Sequence, residues 1–292
     1  MDSLKARLEA LQCSAVGRFI KKLVDDQAPN LAALIAWGTL SAILPMLLGV
    51  LSLAGLVLRD QRMLDQVYNT LLSALPGDIA TPLTSVLGGM RQSAGAAGIV
   101  AIVLFLINGS AFFSNMASVF DQAHHVPGRM VLFERMIALV MLLMTTLLLI
   151  VTTMAAGLGS LVSNVPGVLP IGPVLGQAVG WLVPLLSVFG LFLLVYRVLP
   201  NTPQTWRTVI PGALLSTLLL LAVTQLFPIY LSLFPPNHAY AVFGVFLVFT
   251  FYLYLVGFVF VLGAELNAFL RLEPASSPTA AVTTTTHDRI AA

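Results

Sequence analysis

Residues 136 to 196 contain no Asp, Glu, Lys or Arg, and neither do residues 208 to 264. A soluble domain carries about a quarter charged residues, whereas a helix that crosses the hydrocarbon needs about 20 apolar ones in succession. Each uncharged stretch therefore holds two spans joined by a short turn, which makes the chain a polytopic membrane protein. Its 292 residues are 58% hydrophobic and 9% charged, with mean hydropathy +0.96. That leaves room for one membrane domain with short loops and a tail, and none for a separate soluble catalytic domain.

The expected fold is all-α, with six transmembrane helices at about residues 30–58, 94–120, 136–163, 175–199, 208–234 and 240–270. The first apolar block follows a charged helical segment, so it is expected to be a retained span and not a cleaved signal. Within residues 1–29, Leu4, Leu8, Leu11, Ala15, Phe19 and Leu23 recur at helical steps. Lys5, Arg7, Arg18, Lys21 and Lys22 are distributed among the more polar positions. This is an amphipathic helix suited to a membrane surface rich in anionic head groups, or to packing on the end of the bundle. Residues 59 to 93 are expected to form an outer amphipathic hairpin turning at Pro76-Gly77. Residues 30–271 make the membrane domain, and 272–292, rich in Pro, Ser, Thr and Ala, form a disordered tail.

Six spans leave both termini on one side. Eleven Lys and Arg lie there, against Arg59, Arg62 and Arg91 opposite. The positive-inside rule then puts both termini in the cytoplasm, with the bias present in every cytoplasmic loop.

Chemistry is sparsely written. Glu265 is the one acidic residue of the sixth apolar block, toward its inner edge, and an ionisable residue there is a functional candidate by default. A carboxylate near a helix C-terminus opposes the helix dipole and wants a cation, for which Arg197 or Arg207 is available. Two uses stay open: an ion pair fastening spans four, five and six, or substrate or proton handling. Asn108, Gln225 and Asn267 are amides that need partners in hydrocarbon or face a cavity. Gly172, Gly176 and Gly180, at four-residue intervals, suit close helix pairing within the chain or between copies in a homo-oligomer. Pro45, Pro184 and Pro228 kink spans. Asp121, His124 and His125 are the nearest approach to a metal site, but adjacent helical side chains diverge by about 100°, so a polar helix cap is expected. The single Cys13 forms no internal disulfide or cluster. With no Walker loop, HExxH or serine elbow, the expectation is a protein that is not an enzyme and needs no metal or cofactor.

The segments Leu31-Ala32-Ala33 through Ser41 and Pro45, Tyr196-Arg197-Val198-Leu199-Pro200, Trp206-Arg207, Pro211-Gly212-Ala213 and Gly263-Ala264-Glu265-Leu266-Asn267-Ala268 occur in this order. Together they resemble the YihY family, also called the virulence factor BrkB family, of bacterial inner-membrane proteins. Trp37 stands where members often have tyrosine. The resemblance implies six spans in a bacterial cytoplasmic membrane. It carries an older ribonuclease BN label, but the chain has no basic aromatic groove or acidic metal cluster with which to hold and cut RNA, so nucleic acid is not an expected partner.

The function expected from these features is a transporter or flippase for an amphiphilic, lipid-like envelope component, with membrane lipids as partners. Three spans per half enter the membrane in opposite senses, as in inverted-repeat transporters, and lipid-like cargo needs only an apolar path with a few amides. The alternative is a non-transporting scaffold that organises envelope partners.

Overall fold

A computed structural model describes residues 14–57, 65, 69, 96–163, 172–233 and 241–272, all helical apart from turns and connecting segments. The expected outer hairpin falls outside this set except at two positions, as do residues 1–13 and the tail beyond Leu272. In chain order the helices are α1 (Ala15–Asp25), α2 (Ala28–Val57), α3 (Ala96–Ala123), α4 (Val131–Ser163), α5 (Gly172–Val198), α6 (Trp206–Leu233) and α7 (Ala241–Leu272). The chain is an all-α membrane protein. Among the described residues five helices, α3 to α7, are long and apolar enough to cross a bilayer, while α2 qualifies only as a shorter apolar helix over Ala28–Ile43. Of the six expected spans, the described residues thus supply five.

Local sequence accounts for the helix ends. Ser14 caps α1, its Oγ accepting from Gly17 N at 3.1 Å. The helix stops at Gln27, which takes the left-handed conformation (φ 53°), and Pro29 then sits in the first turn of α2, where its missing N–H is not needed. At the end of α3, His125 is also left-handed (φ 54°), with Val126 N donating to Asp121 O and His125 N to Gln122 O. This is a Schellman ending, followed by Pro127. In α4 the helix begins at Val131, earlier than the apolar block at 136, because Glu134 and Arg135 are accommodated in its first turns.

The long helices pack in a closed ring: α2 on α3, α3 on α4, α4 on α5, α5 on α6, α6 on α7, and α7 back on α2, with α7 also touching α3 and α1. An aromatic cluster ties the ring together where α3, α5 and α7 approach. Phe120 and Phe192 pack on Tyr196 with ring centroids 5.5 and 5.8 Å away, and Phe260 lies 4.8 Å from Phe192. Backbones come closest where glycines meet. A Cβ on Gly212 or Gly263 would strike the opposite helix's backbone carbonyl, and one on Gly257 would strike the Ala32 carbonyl. Of the Gly172, Gly176 and Gly180 repeat, the surroundings of the first two lie outside the described residues. A Cβ added to Gly180 would meet no described atom within 4 Å.

Packing is uneven along the bundle. At the end where α1 lies, Phe192, Val195, Tyr196 and Leu199 of α5 are buried. Trp181 is on the same stripe of α5, about 20° round the helix from Phe192 at 100° per residue, yet it is 70% exposed. On α7, Phe246 is exposed although it shares a face with buried Leu253.

Candidate functional site at one end of the bundle

The α1 end gathers Asp121, His124, Gln204, Glu265 and Asn267, all buried polar groups. Lys22 lies on the face of α1 that carries Phe19, and Phe19 packs edge-on against Phe269 of α7, centroids 5.5 Å apart. This docking turns the Lys22 ammonium inward. It donates to Asp26 Oδ2 at 2.5 Å, to the Ala123 carbonyl at 2.9 Å and to Glu265 Oε2. The Glu265 side chain is 0% exposed, and its second oxygen, Oε1, has no hydrogen-bond partner. Asp26 Oδ1 faces His125 Nε2 at 2.7 Å. Burial works to raise the pKa of Asp26, but the hydrogen bonds from Lys22 and His125 outweigh it and hold the carboxyl below the usual range.

The cation that meets Glu265 is therefore Lys22, not Arg197 or Arg207. Arg197 is spent locally, with Nη1 donating to Gln204 O at 3.0 Å and Cζ 4.1 Å above the Trp206 ring, and Arg207 is exposed at the start of α6. Neither is needed, because α1 brings a basic residue to Glu265, the most deeply buried carboxylate among the described residues. A partial signal is in the sequence: at 100° per residue Lys22 falls about 20° from Ala15, inside the apolar stripe, although this does not mark it as the partner of Glu265.

A second layer links the two loops at this end. Arg129 donates to the carbonyls of Val198 and Leu199 at 3.2 Å, to Pro200 at 2.8 Å and to Asn201 Oδ1 at 3.1 Å. It thus serves the carbonyls that end α5 without intrahelical donors, at the negative end of the helix dipole. Asp121 Oδ1 accepts from Asn201 N at 2.6 Å, and Asn201 Nδ2 donates to Pro127 O at 2.8 Å. His124 donates from Nδ1 to Phe120 O at 2.9 Å and accepts at Nε2 from Gln204 Nε2 at 3.0 Å, which makes it the neutral Nδ1–H tautomer. Burial pushes its pKa down, against the Phe120 bond and with the help of nearby Lys22 and Arg271. Asp121, His124 and His125 thus take three different partners and do not converge. Among the described residues no group of three or more His, Cys, Asp or Glu is placed to hold a metal ion.

The amides divide. Asn267 Oδ1 accepts from Gly212 N at 2.8 Å, joining α7 to α6, while its Nδ2 is buried without a partner. Asn108 is half-buried and donates to the Leu104 carbonyl of its own helix at 2.9 Å. Gln225 is exposed, about 160° round α6 from buried Val209 at 100° per residue. Asn108 and Gln225 sit on helices that are not neighbours in the ring, and the structure does not bring them together.

The segments singled out by resemblance do converge. Tyr196 OH lies 2.7 Å from Ser216 Oγ and donates to Phe260 O at 2.9 Å, next to the Gly212 and Gly263 contact and to Asn267. Residues 19–284 match the family model described as Virulence factor BrkB. The chain is 25% identical over 252 residues to a UPF0761 membrane protein of Pseudomonas paraeruginosa, covering 84% of this chain and 60% of that protein. It is 25% identical over 260 residues to a UPF0761 membrane protein of Aromatoleum aromaticum, covering 87% and 62%. A Bacillus subtilis protein, YfkH, whose name describes it as ribonuclease-like, is 32% identical over 114 residues, 39% of this chain and 42% of that protein. The chain spans about three fifths of the length of these UPF0761 relatives. No solved structure matches. With the family model matching nearly the whole chain, and its recurring segments gathered at one end of the helix ring, the chain belongs to the virulence factor BrkB family of membrane proteins.

Proposed function

We propose that the protein moves an amphiphilic, lipid-like component of the bacterial envelope across the cytoplasmic membrane, as a transporter or flippase and not as an enzyme. The observation that carries this reading is the change along α5, where one stripe passes from buried Phe192, Val195, Tyr196 and Leu199 to a Trp181 that is 70% exposed. An α5 stripe that is packed at the α1 end and exposed at Trp181 fits one of the two states an alternating-access carrier needs. The distribution of Lys and Arg, eleven against three, supports placing the termini, and with them the packed α1 end, in the cytoplasm. The exposed Trp181 level of α5 then lies toward the outer side. Uncharged inner stripes offer an apolar cargo little resistance, and the half-buried Asn108 supplies an amide for a polar head group.

The test is reconstitution of the purified protein into vesicles carrying a fluorescent phospholipid in one leaflet. Movement between leaflets faster than in protein-free vesicles is expected, and Asn108→Leu slows it while leaving the fold intact. Movement at the protein-free rate overturns the reading and returns the scaffold alternative.

A further inference from the structure

A line of polar contacts runs from solvent to a wholly buried carboxylate. His125, with a side chain 58% exposed, places Nε2 2.7 Å from Asp26 Oδ1. The other oxygen of Asp26 meets Lys22 Nζ at 2.5 Å, and the same ammonium donates to Glu265 Oε2. The third Lys22 donor goes to the Ala123 carbonyl. An ammonium has three N–H donors, so Lys22 is saturated and has none for Glu265 Oε1, which stays buried and unpartnered.

Charge does not balance either. Two carboxylates share one ammonium, so with all three ionised and His125 neutral the group holds one excess negative charge, and Glu265 has no exposed surface on which to dissipate it. A buried charge without a counter-ion is costly enough that a titratable group neutralises instead. Among the described residues Lys22 is the cation bonded to Glu265. Over residues 28–57, α2 has no titratable side chain. On α3, Asp121 is bonded to Asn201 N and His124 to Phe120 O and Gln204. On α1, Arg18, Lys21 and Asp25 are exposed, as is Arg207 on α6, and Arg271 of α7 itself turns to Thr202.

We propose that Glu265 is the acceptor of a proton-binding site, connected with solvent through Lys22, Asp26 and His125. Lys22 passes one ammonium proton to Glu265 and regains one through Asp26 from His125, which takes it from water. The net change is one proton bound from solvent, with Lys22 again an ammonium and Asp26 again a carboxylate. The bound state is neutral: a protonated Glu265 beside a Lys22–Asp26 ion pair. The site does not rest on the transport reading, since proton binding is measured on the resting protein.

The experiment is infrared difference spectroscopy of the purified protein titrated between about pH 5 and about pH 8, the interval in which imidazole also changes charge. A protonated-carboxyl stretch that grows on acidification is expected, absent from Glu265→Gln and kept in Glu134→Gln. A spectrum that Glu265→Gln leaves unchanged overturns the proposal. Should Glu265→Gln fail to fold, Lys22→Met and Asp26→Asn report on the same site from opposite directions. Loss of the cation tightens proton binding about tenfold or more, and loss of the neighbouring carboxylate weakens it by a similar factor. A band that moves in neither variant also overturns the proposal.

Discussion

The Tyr196 hydroxyl stands 2.7 Å from Ser216 Oγ because Gly263 leaves room for both: a Cβ there would strike each oxygen and the Gly212 carbonyl as well. Three helices meet at this point, and the absence of one methyl group lets their polar atoms pair inside an apolar bundle.

Gly263→Ala therefore destabilises the protein by about 1–3 kcal/mol or more through overpacking. Gly180→Ala, where no described atom is within 4 Å, is neutral or stabilising by about 0.5–1 kcal/mol, the ordinary helix preference for alanine. Thermal unfolding of both variants in one detergent checks the contrast, and equal melting shifts would refute it.

Arg129 spans four acceptors with a planar fork that an ammonium cannot reproduce. Arg129→Lys is expected to cost about 1–2 kcal/mol and Arg129→Ala more, since charge-assisted hydrogen bonds are each worth about 1.5–3 kcal/mol. Proteolysis of the 199–205 connection should accelerate in step with the loss, and an Arg129→Lys protein as resistant as the parent would count against this capping role.

Acid weakens the fold in two separate windows. His124 is held neutral by burial, so its folded pKa lies below the free value of about 6.5. As pH falls below that value the unfolded chain binds a proton that the folded one refuses, and stability drops until the folded pKa is passed. Asp26 is depressed by Lys22 and His125 despite its burial, so its contribution is present above about 3.9 and lost as pH falls further through its folded pKa. Melting curves against pH should show the upper window vanish in His124→Gln and the lower one in Asp26→Asn.

Orientation is testable in cells. In a Cys13→Ser background, single cysteines at Asp65 and at His287 are expected to differ, only the first reacting with an impermeant thiol reagent. Labelling at position 287 in sealed cells would reverse the proposed topology.

Helix positions are legible in the sequence because apolar blocks and the residues that end them, Pro29, Pro127 and the charges around 129–135, are local signals. The need of Glu265 for a cation is legible for the same reason. Its partner is not, because charge alone does not choose between Arg197, Arg207 and Lys22. The choice is made by the docking of Phe19 on Phe269, a contact between the first and the last of the helices. The Asp26–His125 pair depends on two left-handed turns meeting across the bundle, and nothing in either turn names the other. Glycine contacts are hidden in a similar way: Gly212 and Gly263 close up because each finds a glycine opposite, which neither helix's sequence states by itself.

The circular order of the helices bears on how the chain is made. Each long helix rests on the one synthesised before it, so the bundle can assemble piece by piece as it leaves the ribosome, with little search among distant segments. The exception is α7, which emerges after the other six and touches α6, α3, α2 and α1 together. Until it arrives, α2 and α6 each present an unpaired flank to the lipid and Lys22 has no Glu265 to meet. Completion of the ring and burial of its most costly charge are thus one event, the closing step of the bundle's biosynthesis.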